Sequence, residues 1–209
     1  MNIHSNREVE SLALARKIRQ HGAVDKHQLL LDAALDLFES RGFDGVAVPE
    51  IAKQAGVATG TVYVYFRDKE ALVNALYRHW KTAYNDQVLA PLPAGLLVRD
   101  KFTTLWQRMM EFAQTHPRAI RFMDLHHHAP YLDDESRALS KQYLSVARDF
   151  FAEAKAAGVV RNLDPIMVVS LMWGAATGLM KFADQGALKI DAGKINDMEE
   201  ALWRAVARD

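Results

Sequence analysis

Cysteine is absent from the 209 residues of the chain. That absence excludes a disulfide framework, a thiolate zinc or iron–sulfur site and a cysteine nucleophile, and it suits a reducing compartment. Neither sign of charge is in excess, because 26 basic side chains balance 26 acidic ones. The surplus of lysine and arginine that usually announces a nucleic-acid binder is missing, so any such reading has to rest on pattern. Met1 to Gly22 carries Arg7, Glu8, Glu10, Arg16, Lys17 and Arg19 where a secretory signal would need an apolar core, which leads to the expectation of a cytoplasmic protein. The longest apolar run, Pro165 to Met180, is interrupted by Ser170 and Thr177 and bounded by Asp164 and Lys181. It falls short of the roughly 20 residues of a spanning helix, so it predicts a buried helix and no membrane partner. Gly-x-Ser-x-Gly, His-Glu-x-x-His and phosphate-loop patterns are lacking too; no catalytic residue is nominated and no enzyme is expected. Asp133 and Asp134 read as a helix cap and its negative first turn.

What is present is helical periodicity. Half of the residues are apolar, enough for a sizeable core. Leu29, Leu30, Ala33, Ala34, Leu37 and Phe38 repeat at helical spacing, with Asp25 or Gln28 as start and Gly42 as stop. A second helix is expected from Val48 to Ala55 with Pro49 in its first turn and Gly56 after it, and a third from Thr59 to Tyr65. Asp68 can cap a longer helix whose buried stripe is Leu72, Val73, Leu76, Tyr77, Trp80 and Tyr84. Two prolines and a glycine in Ala90–Gly95 mark a break. Beyond it, helices are predicted over Lys101–Gln114, Pro117–His128, Asp133–Ala157, Asp164–Ala183 and Lys194–Arg208. Alternating strand patterns and hairpin dipeptides are missing from this half. An all-α fold of about nine or ten helices follows. It divides into an N-terminal extension (1–24), a first helical domain (25–85) and a second helical domain (96–209).

The informative stretch is Ala47 to Phe66. Two short helices crossing steeply need a small residue at the crossing, a glycine at the turn and apolar residues on their facing sides. Ala52, Gly56 and the set Ile51, Ala55, Val57 and Val62 fill those places, which defines a helix-turn-helix over residues 47–66. On Ala33-Ala34, Leu37-Phe38, Gly42-Phe43, Ile51-Ala52, Ala55-Gly56-Val57, Gly60-Thr61-Val62-Tyr63, Tyr65-Phe66, Lys69 and Leu72, the segment from Lys26 to about Tyr84 resembles the N-terminal domain of the TetR family of bacterial transcriptional regulators. The rest matches in length and helical character. The resemblance implies a homodimer with a variable C-terminal ligand-binding domain, most often a repressor released from a palindromic double-stranded operator by a small-molecule effector, with no cofactor. A helical enzyme or a protein-binding adaptor using the C-terminal cavity is the alternative. Val46, Ala47 and Ala58 depart from the hydroxyl residues common in the family, a change that bears on helix caps and phosphate contacts more than on the fold.

Carried over position by position, the residues facing DNA are Thr59, Gly60, Thr61, Tyr63, Val64 and Tyr65, with Lys69 meeting a phosphate. None of the first six can form a bidentate pair with guanine or adenine. Threonine methyls and Val64 suit thymine methyl groups, so an operator with thymines at the contacted positions and some readout of DNA shape is expected. Phe66 is assigned to the core. Arg16, Lys17 and Arg19 could form a minor-groove arm, though a solvated terminus is the simpler reading.

In the second half, large adaptable side chains serve either core or pocket. Candidate effector contacts are Trp106, Met109, Met110, Phe122, His126, His127, Trp173, Thr177 and Met180. Asp124 and His128 share a helical face, but adjacent histidines point about 100° apart on a helix, and no metal is expected. Gly174 and Gly178, one turn apart, permit close helix approach; with Trp203 they are the candidate dimer seam. A twofold helix-turn-helix protein needs two half-sites about 34 Å apart.

Overall fold

The structure, a computed structural model, describes residues 25–126 and 129–208. These form ten helices and an isolated antiparallel bridge between Val160 and Ala207, so the all-α expectation is met. The first four are α1 (Lys26–Arg41), α2 (Val48–Gln54), α3 (Thr59–Tyr65) and α4 (Lys69–Val88). Six follow the proline-containing break: α5 (Val98–Thr115), α6 (Pro117–His126), α7 (Asp134–Ser140), α8 (Gln142–Ala156), α9 (Pro165–Asp184) and α10 (Ala192–Val206). Arg16, Lys17, Arg19, His127 and His128 lie outside the described residues.

The helix ends follow from local chemistry. The Asp25 carboxylate accepts the backbone N–H of His27 at 3.0 Å and starts α1. Gly42 ends it at φ 68°, a left-handed conformation that glycine adopts without steric cost. Asp68 accepts the N–H of Ala71 at 2.7 Å and starts α4. That bond and the neighbouring Arg67 guanidinium hold the Asp68 carboxyl below its ordinary range. Asp133 accepts the N–H of Ser136 at 2.8 Å and starts α7. The helix expected over Asp133–Ala157 is in fact two. At Lys141 the ladder tightens to three-residue bonds, Lys141 N–H to Ala138 O at 3.0 Å and Leu144 N–H to Lys141 O at 3.0 Å. The Ser140 hydroxyl donates back to Ser136 O at 2.9 Å, a competition with the main chain that favours a bend.

Buried side chains from every helix except α7 form one contiguous core. The centre of the arrangement is α4, which packs on α1 at one end and on α5, α6 and α7 along its length. Asn74 stitches it to the chain before α7: its amide donates to Glu70 O at 2.9 Å and Tyr131 O at 2.8 Å, and its carbonyl accepts the Asp133 N–H at 2.8 Å and the Ser136 hydroxyl at 2.9 Å. Such a fully satisfied buried amide fixes register as well as position. Across the waist, α1 packs on α6. Arg118 reaches Asp36, and Arg121 reaches Glu39 as well as Asp184, the last at 2.5 Å.

Helix α9 corrects one expectation. It is 20 residues long, and only Val168, Ala176, Leu179 and Met180 of it are buried. By length and composition it could cross a membrane, but it packs against α5, α6, α8 and α10 and leaves one apolar face uncovered, where Ile166, Met167, Leu171 and Phe182 are exposed. The sequence pattern of a helix apolar nearly all round does not distinguish burial within the chain from an apolar face left open to solvent.

Candidate nucleic-acid interface and the cavity behind it

The turn between α2 and α3 is built from its backbone. Val57 N–H returns to Ala52 O at 2.9 Å and Gly56 N–H to Lys53 O at 3.2 Å, with Gly56 at φ 68°. Val48, Ile51, Ala52 and Val62 turn inward. Ala47 has no side chain with which to cap α2, and Glu50 compensates. One oxygen of its carboxylate accepts the Ala47 N–H at 2.9 Å, while the other takes both Arg41 Nη atoms at 2.9 Å. The Arg41 bond and then the Ala47 bond hold the Glu50 carboxyl below its ordinary range. Ala58 leaves α3 without a side-chain cap.

With Val62 and Phe66 buried, α3 turns its other face outward: Tyr63 is 54% exposed, Val64 78% and Tyr65 43%. Thr59 and Gly60 are exposed and Thr61 is half-buried, so six of the seven candidates for DNA contact share one surface. A side chain at Gly60 would meet nothing within 4 Å. Glycine inside a helix costs roughly 0.5–1 kcal/mol against alanine, and internal packing gives no reason for it here. Tyr65 stacks edge-on to His27, 5.9 Å between centroids.

The seventh candidate, Lys69, behaves otherwise. Its ammonium turns inward, donating to Phe43 O at 2.9 Å and Val46 O at 3.1 Å and lying 4.0 Å over the Phe43 ring. Those carbonyls belong to the α1–α2 turn, whose last acceptors have no helical partner. Lys69 is therefore a clamp on the helix-turn-helix, and the expected phosphate contact does not describe its main engagement. Phe43 in turn stacks on Tyr131 at 4.1 Å between centroids.

Farther along α4 lies a cavity of about 610 Å³, lined by α4, α5, α6, α7, α8 and α9. Of the nine candidate effector contacts, Met109 and Trp173 line it. Trp106 is buried between α5 and α10, its indole N–H donating to Ile195 O at 2.9 Å. Met110, Phe122 and Met180 are buried in the core away from the cavity wall. Thr177 closes its hydroxyl on Trp173 O of its own helix at 3.0 Å. His126 is buried, bonds the Tyr131 hydroxyl through Nδ1 and packs on Phe122 at 4.4 Å; burial holds its imidazole below the ordinary range. These residues serve packing because an apolar core and an apolar pocket draw on the same side chains.

Several polar groups that line the cavity went unnoticed in the sequence, among them Lys81, Tyr143, Ser140, Arg137 and Lys141. Lys81 was legible in principle, since it follows Tyr77 by four residues and precedes Tyr84 by three on the buried stripe of α4. It is 7% exposed, and burial pushes its ammonium down to about 8. Burial also raises the Tyr84 phenol. Trp203, a candidate for the dimer seam, is half-buried against its own chain, 5.3 Å from Phe102 with Arg99 5.0 Å over its ring. Gly174 and Gly178 remain open, since a side chain at either would meet nothing within 4 Å.

Comparison with known proteins agrees with this architecture. The profile described as "Bacterial regulatory proteins, tetR family" matches residues 30–76, and "Tetracyclin repressor-like, C-terminal domain" matches residues 78–208. The chain belongs to the TetR family. It is 30% identical over 201 residues to the HTH-type transcriptional regulator RutR of Escherichia coli (strain K12), covering 90% of this chain and 92% of that one. The Fatty acid metabolism regulator protein of Bacillus subtilis (strain 168) is 24% identical over 152 residues, 71% of this chain and 78% of that one. A TetR family transcription regulator from Marinobacter aquaeolei VT8 shares the fold with a TM-score of 0.78 at 22% identity, covering 88% of this chain and 96% of that chain. This TetR-family chain is a DNA-binding transcriptional regulator, and its two family matches meet inside α4.

Proposed function

We propose that this regulator is a cytoplasmic, non-enzymatic homodimeric repressor that grips a palindromic operator through α3 and lets go when a small molecule enters the cavity. The observation that carries this reading is the course of α4. The helix begins four residues after α3 ends, is clamped there to the α1–α2 turn by Lys69, and contributes Tyr77, Lys81, Tyr84 and Val88 to the cavity wall. A ligand that fits the cavity better when α4 is displaced moves the helix-turn-helix with it, because the near end of α4 has no slack. Coupling of about 1–3 kcal/mol between two sites weakens the second ligand roughly 5–150-fold.

Thr59, Gly60, Thr61, Tyr63, Val64 and Tyr65 supply the operator contacts, with thymine methyls as targets for the threonines and Val64. The open space in front of Gly60 suits a close approach of the DNA backbone. The uncovered face of α9, with Ile166, Met167, Leu171 and Phe182 exposed and Gly174 and Gly178 permitting close approach, supports a seam between two copies. Selection of binding sites from random duplex DNA with the full chain tests the reading. An inverted repeat whose half-site centres lie about 34 Å apart is expected; enrichment of no repeat, or of guanine at the helix-facing positions, contradicts it.

A further inference from the structure

We propose that the cavity takes an amphipathic monoanion whose carboxylate sits on the Nζ of Lys81 and whose apolar body lies against α5 and α8, an inference that rests on the effector reading of the cavity. Lys81 lines the cavity and is nearly inaccessible to solvent. It has no hydrogen-bond or ion-pair partner among the described residues. What surrounds its ammonium is aromatic: the rings of Tyr84 at 4.9 Å, Tyr143 at 5.5 Å and Trp173 at 6.0 Å. Ring faces attract a cation but replace only part of the hydration it has lost. Buried lysines are almost always paired, and here the missing partner is an anion.

The rest of the lining says which anion. Among the described lining residues there is no aspartate or glutamate, whereas Arg137 and Lys141 add two further cations, both exposed. A ligand amine would meet three positive charges and no negative one. A neutral apolar ligand would leave Lys81 unanswered. A phosphoryl group, with three charged oxygens, needs more donors than one ammonium provides. Of the lining hydroxyls, Ser140 and Tyr77 are already engaged with each other at 2.8 Å, and Ser140 with Ser136 O as well. Away from Lys81 the wall is apolar, formed by Phe102, Leu105 and Met109 of α5 and Val146 and Phe150 of α8. One charge at one end and an apolar remainder is the complementary shape. Arg137 and Lys141 add a field that draws anions in.

The test uses a matched pair of probes, decanoate and decan-1-ol, titrated into the full chain by calorimetry below their aggregation limits. Wild-type protein at pH 7 binds decanoate at least tenfold more tightly than the alcohol, and Lys81→Met removes that preference. A second arm needs no variant. Decanoate stays ionised above neutrality, and the titratable or charged groups that line the cavity with Lys81 are Tyr77 and Tyr84 on α4, Tyr143 on α8, Arg137 on α7 and Lys141 at the α7–α8 junction; α5, α6 and α9 present no charge to it. Decanoate affinity in the wild type therefore falls roughly tenfold per pH unit above about 8 as the ammonium deprotonates, while affinity for the alcohol stays level. Equal affinities, a preference that survives Lys81→Met, a flat pH profile or failure of both probes to bind overturns the proposal. Operator release is read separately. An alcohol that binds and releases DNA with no carboxylate preference sinks the anion site and leaves the effector reading standing. A carboxylate held on Lys81 without any release does the reverse.

Discussion

Two lysines on one helix, twelve residues and about 18 Å apart, meet opposite surroundings. Lys69 has two carbonyl acceptors and an aromatic face; Lys81 has aromatic faces alone. The difference divides α4 by purpose. At its start, where the helix-turn-helix is attached, each strong donor has an acceptor, so α1, α2 and α4 move as one piece. At its far end the chain leaves a desolvated charge in a void, a local loss of stability that a ligand can recover. Proteins tolerate such incompleteness where function needs it.

The comparison breaks most visibly at the DNA. Tyr63→Ala removes an exposed ring from each of two half-sites, and at about 1–3 kcal/mol per half-site specific operator affinity falls on the order of 100-fold or more. Nonspecific binding and cavity binding stay unchanged; anisotropy with operator and scrambled duplexes checks this, and retained specificity removes Tyr63 from the contact surface. Lys69→Met strands Val46 O and leaves Phe43 O only the long bond from the Val46 N–H at 3.4 Å. Hydrogen bonds to a charged group are worth about 1.5–3 kcal/mol, so a loss of about 2 kcal/mol is expected in urea unfolding.

Lys81→Met goes the other way. Removing an unpaired buried charge raises stability by about 1–3 kcal/mol, and the pH profile identifies the cause. The folded protein releases the Lys81 proton near 8, whereas the unfolded chain keeps it until its ordinary value near 10.4. Between these values the unfolded state binds more protons, so Lys81 makes stability climb with pH, and the difference between wild type and variant shrinks across that window. A constant difference rules out the titration as its origin. The smallest effect is at Gly60→Ala, which raises stability by about 0.5–1 kcal/mol while weakening operator binding; tighter binding contradicts the close-approach role.

The same contrast governs what could be read from the residues. The helix-turn-helix was legible because its constraints are local: a small residue at a crossing, a glycine at φ 68°, apolar residues at fixed offsets. The direction taken by Lys69 was not, since its acceptors lie 23 and 26 residues away. In the second half the helices were legible but the cavity was not. Trp106, Met110, Phe122 and Met180 fill core, Met109 and Trp173 face the void, and periodicity treats the six alike. A lysine on an apolar stripe was the available signal, for a charge there costs too much to be incidental. The packing of Trp203 on Phe102 depends on a neighbour distant in sequence, whereas the break at Lys141 goes with Ser140 closing on Ser136 O four residues back.

The balanced charge of the chain also takes on meaning. Met1 to Trp80 contains ten basic and ten acidic residues, and of the basic side chains beside α3, Lys69 is engaged inward while Arg67 pairs with Asp68 at 2.7 Å. Few charges remain for phosphates, so operator affinity should vary gently with salt, at about 0.9 in the log–log slope per phosphate contact.

The central claim is that α4 carries the state of the cavity to the operator. It is tested most directly by measuring the affinity of the full chain for its selected operator with and without decanoate at a concentration that saturates the wild type, in wild type and in Lys81→Met. The account predicts a loss of roughly 5–150-fold in the wild type and a smaller one in the variant at the same decanoate concentration; an operator affinity that decanoate leaves unchanged in the wild type contradicts it.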